Sequence, residues 1–166
     1  NHPDSDSKAS EADIAHCNTL GIPYYIFSYP GMELNTLQPE KNLVDLYGRE
    51  YSFGVYECFE ASRDYLKSVG IKIKSRVLFE DNWWKKGIDY FCTEMMEEWG
   101  FREVNLENIA PNDAITFSVH SDIPNHCGIY LGNDIFYHHA ESRLSCRENL
   151  FPSWAKYINR VYRYAA

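Results

Sequence analysis

One thiol and two imidazoles in this chain have the types and spacing that nucleophilic catalysis needs. Cys58 follows Tyr56 and Glu57 and precedes a helix-like run, so we expect its thiol at the start of a helix. His126 lies in the segment NHCGIYLGNDIFYHH, and His138 follows it twelve residues later. A thiolate is a nucleophile, one imidazole can take and return its proton, and a second can orient the first. The three side chains together predict a cysteine hydrolase.

The expected position of Cys58 bears on the pKa of its thiol. A free cysteine is mostly protonated at neutral pH, whereas the unpaired N–H groups and partial positive charge of a helix N-terminus favour the thiolate. Cys58 has this position if Tyr56 or Glu57 is the N-cap. Backbone N–H groups at the same helix start could also stabilise an oxyanion. Cys58 could equally be a plain buried helix residue, so the thiol alone does not decide the function.

The histidines are related through a predicted hairpin whose loop contains Gly132-Asn133-Asp134. A three-residue loop would pair Gly128 with His138 and place His126 and His138 on one face of the hairpin. A two-residue loop on Asn133-Asp134 would turn His138 away. With the longer loop, His126 can face the thiol while His138 bonds its far nitrogen, which would fix the tautomer of the base.

The other cysteines and histidines have structural interpretations. The five cysteines are odd in number and widely spaced, so no disulfide framework is implied. The sequence contains no CxxC pair, which argues against a cysteine-based zinc site. Three are expected to be small buried residues, namely Cys17, Cys92 and Cys127. Cys146 is predicted to be a surface or edge thiol. His120 and His139 are predicted to be ordinary surface or core residues, with His139 pointing away from His138.

Composition restricts the class of protein. The chain has 166 residues and is 16% aromatic, which indicates a packed globular protein with a substantial core. Its net charge is −8 and its Lys and Arg residues are scattered, so nucleic acid is not an expected partner. No apolar stretch approaches the roughly 18 residues that a membrane span requires.

Hydrophobic periodicity and turn residues predict an α+β fold. Helices are predicted at residues 10–20, 57–69 and 83–99. Strands are predicted at residues 23–29, 71–73, 101–104, 114–120, 125–131, 135–140 and 158–164. Because most of the strands follow the helices, we expect an antiparallel sheet packed on helices.

Residues from about 47 to 164 resemble the NlpC-type cysteine peptidases, which have a circularly permuted papain-like fold. The family motif is an acid–Cys pair at a helix start, then His-Val-Gly-Ile-Tyr-Leu-Gly, then a polar residue twelve positions after the His. Glu57-Cys58, the segment His126–Gly132 and His138 match these parts. Departures are Glu57 in place of Asp, Cys127 in place of Val, and Phe59-Glu60 where Ser-Gly is usual.

The resemblance implies specific roles for these residues. Cys58 would be the nucleophile, His126 the base and acid, and His138 the orienter. Tyr47, an approximate match to a family tyrosine upstream of the Cys, and Tyr56 would bind substrate. The implied reaction cleaves peptidoglycan stem peptides between D-γ-glutamate and a diamino acid, with no cofactor or metal.

The chain is similar in particular to the phage members of this family, from lambda-type tail tips, in which a JAMM zinc metallopeptidase domain precedes the cysteine peptidase. His2-Pro3, Ser10 and Asp13 have the spacing that ends the JAMM motif, where the His and Asp bind zinc. Two ligands cannot form a three-ligand site, so no zinc site is expected there. Ser10 and Asp13 could also be a helix cap.

These observations predict three segments: a truncated JAMM-like remnant at 1–31, a linker at 32–46 and the peptidase domain at 47–166. The resemblance implies phage tail proteins as further partners, and a location at the virion tail tip or in the host cell envelope. Two alternatives remain open. The domain could be a structural tail component with a vestigial site, or a protease or acyltransferase that uses the same Cys and His on other substrates.

Overall fold

The computed structural model describes residues 2–3, 6–20, 22–38, 46–73 and 79–165, and the chain forms two compact units. Unit 1 is Asn1–Asp45 and unit 2 is Leu46–Ala166. All of the predicted site residues belong to unit 2. None of the helices in the described ranges has both the length and the apolar character of a membrane span.

Unit 1 combines one helix with a three-stranded sheet. Helix α1 (Glu11–Leu20) begins with a reciprocal cap, in which the Asp13 carboxylate accepts from the N–H and hydroxyl of Ser10, and the Ser10 hydroxyl accepts from the Asp13 N–H. In the sheet, β2 (Tyr24–Tyr29) pairs with β1 (His2–Pro3) in parallel and with β3 (Leu34–Leu37) in antiparallel orientation. The helix and strand predicted here are confirmed.

Strand β3 lies within the segment predicted as a linker, residues 32–46, which stays a prediction as a boundary between domains. This four-residue strand, Leu-Asn-Thr-Leu, is mostly exposed, so it carries no alternation of buried and exposed positions that periodicity could detect. Residues 39–45 of the predicted linker lie outside the described residues.

Unit 2 is built on a six-stranded sheet in the order β4-β9-β5-β6-β7-β8, and every pairing in it is antiparallel. The strands are β4 (Phe101–Val104), β5 (Ala114–Phe117), β6 (His126–Gly132), β7 (Ile135–His138), β8 (Cys146–Asn149) and β9 (Ile158–Tyr164). Helix α2 (Cys58–Ser68) packs on β6 and β7. The predicted α+β class, with an antiparallel sheet packed on helices, is confirmed.

The β6–β7 hairpin has the register that the longer loop predicts, since Gly128 pairs with His138. The turn itself is tight, because Asn133 and Asp134 both have positive φ and Gly132 pairs with Ile135. A β-bulge between Tyr130 and Gly132 absorbs one residue and restores the register. Position 128 requires glycine, because an added Cβ would lie 2.6 Å from the Tyr137 carbonyl oxygen.

The prediction of one continuous helix over residues 83–99 of unit 2 is wrong. The structure has a 3₁₀ turn at Trp83–Lys86 and a short helix α3 (Thr93–Glu98). Between them Gly87 takes a left-handed φ of 81°, and the Asp89 carboxylate accepts from the Phe91 N–H, which favours a turn over a helix. The apolar residues of this pattern are nevertheless buried in the hydrophobic cluster that packs on α2, including Trp83, Phe91, Met96 and Trp99.

Two further differences from the predicted elements have local causes. The strand predicted at 71–73 is absent from the structure, because the Ile71 N–H bonds the Leu66 carbonyl and closes the end of α2 around Gly70. Strand β8 was not predicted, because its sequence Cys-Arg-Glu-Asn is polar and lies at the sheet edge.

Helix α2 begins with a buried carboxyl group. Glu57 is its N-cap, and the carboxylate accepts from the N–H groups of Phe59 (2.7 Å) and Glu60 (3.2 Å). Burial raises the pKa of Glu57 from 4.5 to about 7, although these two hydrogen bonds oppose the increase. The folded protein therefore holds this proton more tightly than the unfolded chain does.

We expect Glu57→Gln to flatten the pH dependence of stability. The stability that protonated Glu57 contributes is complete below pH 4.5 and is lost as pH rises through about 7. At about 1.4 kcal/mol per pKa unit, the wild type should lose roughly 3 kcal/mol relative to Glu57→Gln between pH 4 and pH 8. Urea unfolding monitored by tryptophan fluorescence measures this, because all four tryptophans lie in unit 2.

The matched control is Glu97→Gln, which removes a carboxylate from an exposed position on α3. It should keep the wild-type slope. Parallel curves for the wild type and Glu57→Gln would show that folding does not raise the pKa of Glu57.

Candidate active site

Cys58 is the first residue of α2, directly after the Glu57 N-cap, so its predicted place at a helix start is confirmed. Its side chain is nearly buried, with 4% of the residue exposed, yet it reaches a cleft of about 460 Å³. The cleft has this lining: Tyr51, Phe53, Cys58, Asp81, Asn82, Trp83, Trp84, Val119, Asn125, His126, Ala140, Glu141 and Trp154. Cys58 and His126 thus share one solvent-connected space of the size that binds a small ligand.

The two predicted histidines are joined directly. His126 Nε2 lies 2.9 Å from His138 Nδ1, and the rings meet nearly edge to face. His126 is also stacked on the Trp154 ring, and His138 packs against Phe136. The register of the hairpin and this ring packing hold both imidazoles in one orientation.

A carboxylate that the sequence reasoning missed extends this pair. His138 Nε2 lies 3.0 Å from Glu148 Oε2, on the neighbouring strand β8. Glu148 is held in turn by the Trp154 indole N–H at 2.8 Å and by Arg143, whose Nη2 lies 2.7 Å from Oε1. We call this hydrogen-bonded series, His126–His138–Glu148, the relay.

The charges of the relay decide its tautomers. Burial lowers the pKa of His138 to about 4, against the opposing effect of Glu148, so the ring is neutral at neutral pH. Burial of Glu148 opposes ionisation, but hydrogen bonds from Arg143 and Trp154 outweigh it and lower the pKa of this carboxyl. The contact between Glu148 and His138 is therefore an N–H···carboxylate hydrogen bond rather than an ion pair.

His126 is also neutral, because burial and the neighbouring His138 and His139 hold its pKa well below 6.5. A carboxylate only accepts, so the His138 proton lies on Nε2, and its Nδ1 accepts from His126 Nε2–H. The relay leaves Nδ1 of His126 as an unprotonated nitrogen. A nitrogen in this state can accept a proton from a thiol.

The surroundings of the Cys58 thiol differ from those expected at a helix start. A hydrogen bond with the Cys127 side chain, together with burial and the charge of Glu57, holds the pKa of Cys58 well above its ordinary value. The groups that act on the pKa of this thiol are Cys127 and Glu57, and neither imidazole is one of them. The structure thus pairs a neutral thiol with a neutral imidazole across the cleft, and not a thiolate with an imidazolium.

The predicted substrate-binding tyrosines are not among the described residues that line the cleft. Tyr47 packs edge to face on the Tyr137 ring, and the Arg49 guanidinium covers the Tyr56 ring. The tyrosine in the cleft is Tyr51, whose hydroxyl has a raised pKa because of burial and the charges of Cys58 and Glu57. Tyr51 lies seven residues before Cys58. The spacing of the family tyrosine pointed to Tyr47 instead, so Tyr51 was not predicted.

The remaining cysteines and histidines have structural surroundings. Cys17 and Cys127 are buried as predicted, Cys92 is only partly buried, and Cys146 lies on the edge strand β8. His120 is exposed. His139 Nε2 lies 3.0 Å from the Arg143 carbonyl oxygen, and its ring packs on Tyr51.

Two curated relatives resemble nearly the whole chain. Tail tip assembly protein K of Escherichia phage N15 is 31% identical over 166 residues, which are 98% of this chain and 67% of that protein. Tail tip assembly protein K of Escherichia phage lambda is 27% identical over 165 residues, which are 99% of this chain and 79% of that protein.

Solved structures have the same fold at low identity. An NLP/P60-family lipoprotein-like protein of Staphylococcus aureus superposes with a TM-score of 0.52 at 18% identity, over 73% of this chain and 38% of that one. NlpC1 from Trichomonas vaginalis superposes with a TM-score of 0.51 at 18% identity, over 71% of this chain and 40% of that one. An NlpC/P60 protein from Bacillus cereus superposes with a TM-score of 0.52 at 15% identity, over 87% of this chain and 51% of that one. The chain thus spans about half or less of each of these proteins.

A family match completes the comparison. The NlpC/P60 family model matches residues 48–163, which end within β9. Residues 1–47 lie outside this match, so the JAMM-like remnant stays a prediction. The predicted resemblance to NlpC-type proteins and the permuted papain-like fold are confirmed. With residues 48–163 matched, the chain belongs to the NlpC/P60 family.

Proposed function

We propose that this chain is a cysteine peptidase that hydrolyses peptidoglycan stem peptides at the D-γ-glutamyl–diamino acid bond. The observation that carries the proposal is the relay, which ends at an unprotonated His126 nitrogen in the same cleft as Cys58. Membership of the NlpC/P60 family supports the reaction class. The roles are Cys58 as nucleophile, His126 as base and acid, and His138 as orienter.

In the proposed reaction His126 Nδ1 takes the proton of the Cys58 thiol as the sulfur attacks the peptide carbonyl carbon. The C–N bond then breaks, and the proton on Nδ1 passes to the departing amine. Water, deprotonated by His126, hydrolyses the thioester, releases the carboxylic acid and restores the thiol. His138 keeps the base in one tautomer throughout, because Glu148 accepts from its Nε2–H.

Because the pKa of the Cys58 thiol is raised, the proposed reaction requires the thiol to change its surroundings before it can lose its proton. Turnover needs the Cys58 thiol to turn away from the Cys127 side chain, which raises its pKa, and to form a hydrogen bond with His126. Catalytic hydrogen bonds commonly tighten only when substrate is bound, so substrate entry into the cleft is the natural trigger. The base accepts the proton during the attack, and a resting ion pair is not needed.

Two groups are positioned to stabilise the oxyanion. The N–H groups of Phe59 and Glu60 are engaged by the Glu57 carboxylate, which leaves the N–H of Cys58 itself as the donor at the helix start. Tyr51 stays protonated because its pKa is raised, so its hydroxyl is available as a second donor in the cleft. We assign Tyr51 the substrate-binding role that the family resemblance implies for Tyr47 and Tyr56.

The phage relatives suggest where the enzyme works. Both are named tail tip assembly proteins, so we place this chain at a virion tail tip, with tail proteins as partners and the host cell wall as substrate. The reaction needs no metal or cofactor in this scheme.

A second function has a specific observation in its favour. The Cys58 thiol is nearly buried, and the Cys127 side chain and burial raise its pKa, as in a site that has lost its activity. The names of the relatives describe assembly rather than hydrolysis. Under this alternative the domain binds tail proteins or wall without cutting either. A protease or acyltransferase acting on virion proteins would use the same groups.

Replacing Cys58 by alanine should abolish muropeptide cleavage, because among the described residues of the cleft Cys58 alone carries a thiol. Mass spectrometry of purified muropeptides after incubation with each variant measures the products. Cys92→Ala, which removes a partly buried thiol outside the cleft, is the matched control and should keep wild-type activity. Turnover by Cys58→Ala would end the assignment. No cleavage of muropeptides by the wild type, with cleavage of tail proteins incubated alongside, would favour the virion protease.

His126→Ala should reduce the rate by roughly 10²- to 10⁴-fold, as expected for loss of a general base. His138→Ala should cost less, because water can replace part of an orienting contact. His138→Asn, which keeps an oxygen acceptor for His126 Nε2–H, guards against a folding defect at this buried position. His120→Ala, at an exposed histidine, should leave kcat unchanged. Equal losses for His126 and His138, or a larger loss at His138, would contradict these roles.

A further inference from the structure

Three groups that bind metals well converge at the outer end of the relay. His138 pairs directly with Cys146 across β7 and β8, and Glu148 lies two residues further along β8, on the same face. His138 Nε2 lies 3.0 Å from Glu148 Oε2 and 3.8 Å from Cys146 Sγ. All three ligand atoms lie within 4.8 Å of one another.

We propose that His138, Cys146 and Glu148 form a zinc-binding site, and that zinc bound there inhibits the enzyme. One imidazole nitrogen, one thiolate and one carboxylate oxygen make a donor set that zinc accepts. Zinc–ligand bonds of about 2.0–2.3 Å place neighbouring tetrahedral ligands roughly 3.3–3.6 Å apart. The two separations from His138 Nε2, 3.0 Å and 3.8 Å, need shifts of a few tenths of an ångström to meet this geometry. Cys146 Sγ and the Glu148 carboxylate oxygen lie within 4.8 Å of each other and must come about 1 Å closer, which a rotation of the Glu148 side chain can supply.

Two of the three ligands reach solvent, whereas His138 is buried, so zinc enters from the side of Glu148 and Cys146. The Trp154 N–H can keep its bond to Glu148 if zinc takes the second lone pair of Oε2 or takes Oε1. The Glu148 side chain is 27% exposed, and Cys146 is partly buried on the edge strand. Arg143, which holds Glu148, has a side chain that is 50% exposed and can move into solvent. The Arg143 charge opposes a cation at this position, so it weakens zinc binding without blocking it.

Zinc would reverse the tautomers of the relay. A neutral His138 that binds zinc through Nε2 must carry its proton on Nδ1, which then donates to His126 Nε2. His126 consequently carries its own proton on Nδ1, the nitrogen that would receive the proton of the Cys58 thiol. The His138 Nε2 proton and the Cys146 thiol proton leave to solvent, the His126 Nε2 proton crosses to His138 Nδ1, and His126 takes a proton from solvent on Nδ1. His126 can then no longer act as a base toward the thiol.

The binding claim rests on the geometry alone, whereas the inhibition rests also on the proposed function. Zinc binding to metal-free full chain is therefore measured first, by competition with a chromophoric chelator. We expect one equivalent in the wild type, a roughly tenfold or greater loss of affinity in Cys146→Ser and in Glu148→Gln, and tighter binding in Arg143→Gln. Cobalt(II) should give a thiolate charge-transfer band that Cys146→Ser lacks.

The matched controls locate the zinc. Cys92→Ser removes another partly buried thiol and should bind as the wild type does. Cys58→Ser should also keep its zinc, because the proposed site does not include the nucleophile. Loss of binding in Cys58→Ser would place the metal on Cys58 and overturn the site, as would unchanged affinity in Cys146→Ser and Glu148→Gln, or no binding by the wild type.

Muropeptide cleavage with added zinc then tests the consequence. Zinc should lower the activity of the wild type and have at least tenfold less effect on Cys146→Ser, which keeps the whole relay. Equal inhibition of both would overturn the link between this site and catalysis. An enzyme that shows no cleavage even without zinc would contradict the proposed function, while the binding measurements would still decide the site.

Discussion

The hydrogen bond between His126 and His138 is the interaction on which the site depends. A neutral imidazole carries one proton, so fixing the proton of one ring nitrogen fixes what the other can do. Glu148 fixes His138, and His138 fixes His126. A single such bond contributes only about 1 kcal/mol to folding. Its effect on chemistry is larger, because it determines whether the base presents a lone pair or a proton to the cleft.

The fold supplies this interaction through a constraint on one strand position. The bulge in the β6–β7 hairpin corrects for the tight turn, and the resulting register sets Gly128 opposite His138. The space over Gly128 is filled by the Tyr137 carbonyl, the Phe136 ring and the His138 Cβ, with no room for a side chain. The packing of Trp154 on His126 and its bond to Glu148 then tie both ends of the relay to one indole. The relay is therefore a property of the sheet and its packing, and not of a mobile loop.

The thiol side of the site is less prepared than the histidine side. The helix start favours a thiolate, but burial, the Glu57 carboxyl and the contact with Cys127 act in the opposite direction and outweigh it. Glu57 and Cys127 are two of the positions at which this chain departs from the family motif. An enzyme built in this way would keep its nucleophile protonated until substrate arrives, and an inactive descendant would have the same appearance at rest.

Much of this arrangement could be predicted from the sequence, because strong local patterns determine it. The helix that begins at Cys58 and the strand that carries His126 follow from periodicity. The pairing of His138 with Gly128 is one of the two registers that the sequence allows, and the bulge between Tyr130 and Gly132 selects it. Glu148 and Tyr51 could not be predicted, because their roles arise only from tertiary contacts. Glu148 lies on a polar edge strand without a periodic pattern, and Tyr51 lies in an irregular segment ahead of α2. The helix predicted over 83–99 failed because a local turn at Gly87 and Asp89 prevailed over a helical apolar pattern.

The tautomers of the two histidines test this account most directly. Long-range proton–nitrogen correlation spectra of the full chain, labelled with nitrogen-15 in its histidines and kept metal-free at neutral pH, report the protonated nitrogen of each ring. We expect His126 and His138 both to be neutral, each with its proton on Nε2. A proton on Nδ1 of either ring, or two protons on either at neutral pH, would contradict it.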